Sequence, residues 1–213
     1  MAKKTAKPAK KKALDLSTEE KIKKAARKLF TRKGYAATRT RDISEEAGIN
    51  LALLNYYFRS KEKLFELVMI ETLQDFFRNI ARTLNDETTS VDEKVERFVV
   101  NYTALLKEQP DLPLFILHEI RQHPQKLAAK MQAREVFDSF FFKQLAREME
   151  KKNMAPVHPV HFLINMVSMC VFPFIAAPLL KHLARMDSRH FEMLVDERTT
   201  LVPQWMKMIM HPK

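Results

Sequence analysis

The stretch "RTRDISEEAGINLALLNYYF", residues 39–58, decides the fold. It holds two runs of helical character, Thr40 to Ala47 and Leu51 to about Tyr57, each too short to persist alone in water. Between them stands Gly48, one of only two glycines in a chain of 213 residues. A glycine tolerates positive φ, which permits a tight reversal just past a helix end, and Asn50 offers a side-chain acceptor to cap the helix that follows. Ile43 and Ala47 share one apolar face, and Ile49 and Leu54 belong in the core. Two short helices joined by such a turn and propped by a longer one form a helix-turn-helix, whose second member can enter a major groove.

The prop precedes them. Ser17 or Thr18 before Glu19 and Glu20 is an N-cap with acid in the first turn, and Ile22, Ala25, Ala26, Leu29 and Phe30 recur at helical spacing. Gly34 ends this helix, expected over about 17–33. Ser60 caps a long helix over about 61–84. Further helices are expected at about 90–108, 111–122, 125–152, 158–184 and 188–210, with Pro110, Pro124 and "APVHP" at the main boundaries. The fold class is therefore all-α with about nine helices. Two glycines against 12 methionines and 15 phenylalanines leave little material for β-turns.

Charge divides the chain. Residues 1–63 carry 18 Lys and Arg against 7 Asp and Glu, whereas residues 64–213 carry 19 of each, so the whole net charge of +11 lies in the first third. A basic module followed by a neutral body points to a polyanion as the partner of the former. Residues 1–15, rich in lysine, read as a basic disordered tail. The helix-turn-helix at about 39–58 lies within the basic part, and the remainder reads as a neutral helical body. The single Cys170 excludes an intramolecular disulfide, and with no apolar run after the basic N-terminus the expected location is cytoplasmic.

The uncharged run "FLINMVSMCVFPFIAAPLL", residues 162–180, is long enough to bear on a membrane. Asn165, Ser168, two prolines and amphipathic neighbours favour a buried helix instead, covered in part by a second subunit.

The stretch "AARKLFTRKGYAATRTRDISEEAGINLALLNYYFRSKEKLFELV" resembles the DNA-binding domain of TetR-type (tetracycline repressor family) transcriptional regulators, through "AARKLF", "KGYAAT", "RDIS" before "AG", "LNYYF" and "SKEKLF". The resemblance covers about residues 16–76. Arg39 stands where many members place a capping Ser or Thr, and Thr40 is expected to take over as cap or phosphate contact; Asn55 stands where many have Tyr.

The resemblance implies that Thr40, Arg41, Tyr56 and Lys61 contact phosphates or nearby bases, and Lys61 sits at a helix N-terminus that itself favours an anion. Asn50, Leu51, Ala52, Leu53 and Asn55 are expected along the groove-facing side. Hydrogen-bonded base readout then falls mainly to Arg41 and Asn55. Of the aromatics, Phe58 and Tyr57 are expected in the core and Tyr56 outside it.

A module this small needs two copies to read a pseudo-palindrome. A homodimer is expected through the helices at about 158–184 and 188–210, the latter with Leu194, Leu201, Trp205, Met208 and Ile209. Helices over about 90–152 are expected to enclose an effector pocket, with Phe98, Tyr102, Phe115, His118, Phe137, Phe141, Met166 and Met169 as candidate walls. The implied function is a sequence-specific transcriptional regulator, a repressor, released from a double-stranded operator by a small apolar or amphipathic effector. No enzymatic activity, cofactor, metal or membrane partner is expected.

Two alternatives compete. A helical-bundle metalloenzyme would draw on His158, His161, Glu148 and Glu150, but the chain lacks the Glu-x-x-His pairs of two-metal bundles at either histidine, and His158 reads better as a solvated or capping group. A membrane-associated basic helical protein would use the lysines but has no need of the Gly48 turn.

Overall fold

The computed structural model describes residues 8–130, 136–151 and 158–210, all in helices and short connections, with no strand among them. Two compact units divide the chain, Met1–Glu71 and Thr72–Lys213.

The first unit holds α1 (Pro8–Ala37), α2 (Thr40–Glu46), α3 (Leu51–Tyr57) and the start of α4 (Lys61–Leu84). Helix α1 begins at Pro8 instead of about 17, so it runs through lysines expected to be disordered; Pro at the first helical position and the Ala, Lys and Leu that follow suit a helix. Residues 1–7 of the expected tail lie outside the described residues. Gly34 breaks α1 as expected, at φ 77° and ψ 167°, a region open essentially to glycine alone. Thr38, only 1% exposed, closes that break by donating its hydroxyl to Gly34 O at 2.7 Å. Ile22, Ala26, Leu29 and Phe30 of α1 are buried, as are Ile43, Leu54, Phe58, Leu64 and Val68, and Phe65 meets Phe30 edge-on at 5.1 Å.

The second unit contains the rest of α4, then α5 (Val91–Glu108), α6 (Leu112–Gln122), α7 (Pro124–Lys130), α8 (Phe140–Glu150), α9 (Pro159–Ile175), α10 (Ala177–Leu183) and α11 (Ser188–Met210). Its core joins Phe76, Ile80 and Leu84 of α4 to Val95, Phe98, Val99 and Tyr102 of α5, with Phe141 and Leu145, Phe162 and Met166, and Val202 and Met206 from the later helices. Lys94 is fully buried and donates to Asp86 O and Thr89 O, both at 2.6 Å, and to Gln144 Oε1 at 3.1 Å, pinning the α4–α5 turn to α8.

Two expected long helices are broken, which raises the count to eleven among the described residues. The 125–152 helix is interrupted before Phe140, because Asn85 Oδ1 accepts from Phe140 N at 3.0 Å and so starts α8 afresh. The 158–184 helix bends by 67° between α9 and α10, where Pro178, in the first turn of α10, brings no N–H to continue the ladder. Because of that bend no single described helix is long and apolar enough to cross a membrane, although the bent pair passes on length and composition together. Phe162, Met166, Cys170 and Pro173 are buried in the unit.

Candidate functional site

The turn at Gly48 is built by hydrogen bonds from α2. Ile49 N donates to Ser44 O at 3.0 Å and Gly48 N to Glu45 O at 3.1 Å, with Gly48 at φ 66°, the pair of bonds that closes a helix through a left-handed residue. The chain emerges with Asn50 extended, and its Oδ1 accepts from Leu53 N at 2.8 Å, starting α3. Leu54 is fully buried and Phe58 nearly so, which anchors α3 on the unit's core.

This anchoring turns Ala52, Asn55 and Tyr56 outward at helical spacing, with Tyr56 79% exposed. Tyr57 is half-buried and packs edge-on against Tyr56 at 5.5 Å. Leu51 and Leu53, expected on the groove side, are half-buried, so Ala52 is the apolar side chain most openly displayed. Asn50 is exposed, but its carbonyl oxygen is committed to the cap.

On α2 the cap position belongs to Arg39, not to Thr40, which is the first helical residue; the Asp42 carboxylate accepts from Arg39 N at 3.4 Å. Thr40 is half-buried and Arg41 exposed. Lys61, expected as a free phosphate contact, donates to Tyr35 O at 2.9 Å and Thr38 O at 3.0 Å and sits 4.1 Å from the Tyr35 ring centre. Two of its three donors thus brace the α1–α2 turn, and one remains.

The acids beside this surface are neutralised from α1. Lys33 Nζ bonds Asp42 at 3.0 Å and Lys28 pairs with Glu46, and these bonds hold both carboxyls below their ordinary range, with the Arg39 amide adding to the effect at Asp42. Arg39, Arg41 and Arg59 are exposed and in no salt bridge among the described residues, so net positive charge is presented around α3. The sequence reading missed Arg39 and Arg59; a cation in each turn flanking the helix pair was the available signal.

In the second unit a cavity of about 240 Å³ lies among α4, α5, α6, α8 and α9. It gathers Phe98, Tyr102, Phe137, Phe141 and Met166 from the expected wall, but not Phe115, His118 or Met169. Phe115 is buried elsewhere, His118 is exposed, and Met169 gives its carbonyl to Arg198 Nη2 at 2.7 Å. Phe76, Phe77, Ile80 and Leu84 of α4 also line it, outside the helices over about 90–152 that were expected to enclose the pocket. No group of three or more His, Cys, Asp or Glu among the described residues is arranged to hold a metal ion, and His158 Nδ1 instead caps α9 by accepting from Val160 N at 3.2 Å.

Residues 22–68 match the family described as "Bacterial regulatory proteins, tetR family". Over 168 residues the chain is 26% identical to the probable HTH-type transcriptional regulator YttP of Bacillus subtilis (strain 168), spanning 76% of this chain and 79% of that protein. A transcriptional regulator of the TetR/AcrR family from Thermobifida fusca YX-ER1 shares the fold with a TM-score of 0.61 at 18% identity, over 87% of this chain and 96% of that one. The transcriptional regulator FadR from Bacillus subtilis, in complex with stearoyl-CoA, does so with a TM-score of 0.55 at 14% identity, over 86% and 96%. The segment that matches the tetR family of bacterial regulatory proteins is thus the one that holds the helix pair around Gly48.

Proposed function

We propose that the protein is a repressor that binds a pseudo-palindromic operator as a homodimer and leaves it when a small, apolar effector occupies the cavity of the second unit. The observation that carries the DNA part is the outward row Ala52, Asn55 and Tyr56 on a capped, core-anchored α3, flanked by Arg39, Arg41 and Arg59. Arg41 and Asn55 are the side chains able to read base edges; Thr40, Tyr56 and the remaining Lys61 donor serve phosphates. Asn50 and Ala52 approach the groove at the start of α3, with Leu51 and Leu53 contributing only their exposed edges.

Apolar side chains left open on the C-terminal helices support dimerisation. Ile164, Phe172, Leu179 and Leu183 on α9 and α10, and Met193, Met208 and Ile209 on α11, are at least a third exposed. A second copy of these helices would cover them, placing two α3 helices about 34–36 Å apart for half-sites one turn apart. Helix α4 supports the effector link, since Lys61 to Glu71 belongs to the first unit and Phe76 to Leu84 lines the cavity. Differential affinity of the ligand for two states of that helix would drive release.

Selection of randomised duplex DNA by the purified protein, followed by titration of the winner at two salt concentrations, tests the reading. Enrichment of an inverted repeat bound by dimers is expected. Salt-dependent binding without any enriched sequence would overturn it.

A further inference from the structure

The cavity carries more chemical information than its size. Of its sixteen lining residues fifteen are Leu, Ile, Val, Met or Phe, and the remaining one is Tyr102. None of these described lining residues carries a charge, so among them an ionic ligand would find no counter-charge. Six of the fifteen are phenylalanines, whose edges and faces suit another aromatic ring.

Tyr102 is only 6% exposed, yet its hydroxyl makes no hydrogen bond among the described residues. Buried polar groups normally find a partner, and Tyr102 is the one polar side chain among the described residues that line the cavity; Cys170, which acts on its hydroxyl electrostatically, is not one of them. The ring is held in place, with Phe76 at 5.3 Å and Phe98 at 5.4 Å between ring centres. Burial raises the hydroxyl above the ordinary tyrosine range, with Cys170 adding to the effect, so it stays protonated well into the alkaline range. An apolar cavity of about 150 Å³ takes up benzene. One of about 240 Å³ has room for two fused rings.

We propose that the cavity binds an uncharged aromatic ligand of about two-ring size bearing a single oxygen, and that Tyr102 Oη is the hydrogen-bonding partner of that oxygen. This deepens the effector reading of the same cavity and depends on it only for the consequence at DNA, not for binding.

Calorimetric titration of the full, DNA-free chain with 2-naphthol, naphthalene and 2-naphthoate tests it. Expected is binding of 2-naphthol about tenfold tighter than naphthalene, the ratio one good hydrogen bond supplies, and none of 2-naphthoate. Tyr102→Phe should leave naphthalene binding unchanged and bring 2-naphthol down to the same level. Val167→Phe, which narrows the cavity without touching the hydroxyl, should weaken both neutral probes alike. The proposal is overturned if 2-naphthoate binds as tightly as 2-naphthol, if neither neutral probe binds, or if the preference for 2-naphthol survives in Tyr102→Phe. Operator release is read separately on the selected DNA. Tyr102-dependent binding of 2-naphthol that leaves operator affinity untouched would sink the effector reading while the anchor stands.

Discussion

Gly48 and Arg185 occupy the same position in the same device. Arg185 sits at φ 51° after α10, with Arg185 N bonded to His182 O at 3.3 Å and Met186 N to Lys181 O at 2.9 Å, as Gly48 and Ile49 close α2. A Cβ at Gly48 would meet nothing within 4 Å, so Gly48→Ala pays only the left-handed conformation, roughly 1 kcal/mol. Arg185→Gly should return a similar amount, about 1 kcal/mol, by removing that strain. Urea denaturation of the two variants checks the opposite signs. Only the first position was legible in the sequence, because a rare glycine advertises positive φ and an arginine does not. Burial sets a second residue-scale expectation. The Cys170 thiol is pushed up to about 12 and Tyr102 also lies above its ordinary 10.0, both chiefly by desolvation. Above pH 9.0 the unfolded thiol releases its proton while the folded one retains it, so this contribution is complete below that pH and is lost as pH rises. Each group should lower stability by up to about 1.4 kcal/mol per pH unit above its ordinary pKa, and Cys170→Ala should delay the onset by about one unit. Urea midpoints across the alkaline range of both proteins measure it.

At the scale of elements, a cap needs only a few neighbouring residues, whereas a break can depend on distant ones. Ser90 accepts from Glu93 N at 3.2 Å while Glu93 accepts from Ser90 N at 2.8 Å, a reciprocal arrangement written into four consecutive residues. Ser90→Ala should cost about 1 kcal/mol and lower the melting temperature by about 2–4 °C without affecting DNA binding. Asn50→Ala removes the comparable cap of α3 and should cost about as much in stability, while also weakening operator binding. Gel-shift titration beside calorimetry separates the two variants; equal loss of DNA affinity in both would contradict the assignment of α3 to the groove. The interruption before α8 depends on Asn85, 55 residues away in sequence, which no local pattern could reveal. The α9–α10 bend had a local cause in Pro178, but the uncharged run around it masked the turn.

At the scale of the whole molecule, charge and apolar surface are segregated by unit. Phe172→Glu places a charge on a ring that is 61% exposed, so the fold should persist while the dimer does not form and operator affinity drops at least tenfold. Sedimentation velocity and gel shift test this together; a variant that remains dimeric would remove α9 from the interface. Within the first unit the Gly48 turn, both short helices, the Asn50 cap and the exposure of Tyr56 were legible in the sequence, because they follow from contacts within a few dozen residues. It also marked the C-terminal helices as candidates for an interface. Which aromatics face the cavity, that α4 supplies one of its walls, and that Lys61 is tied to Tyr35 O and Thr38 O became visible in the folded chain alone. An apolar side chain at helical spacing has the same signature whether it meets core or empty space, and a lysine shows the same charge whether it meets phosphate or carbonyl. The neighbours that decide between these come from distant segments, brought together by packing.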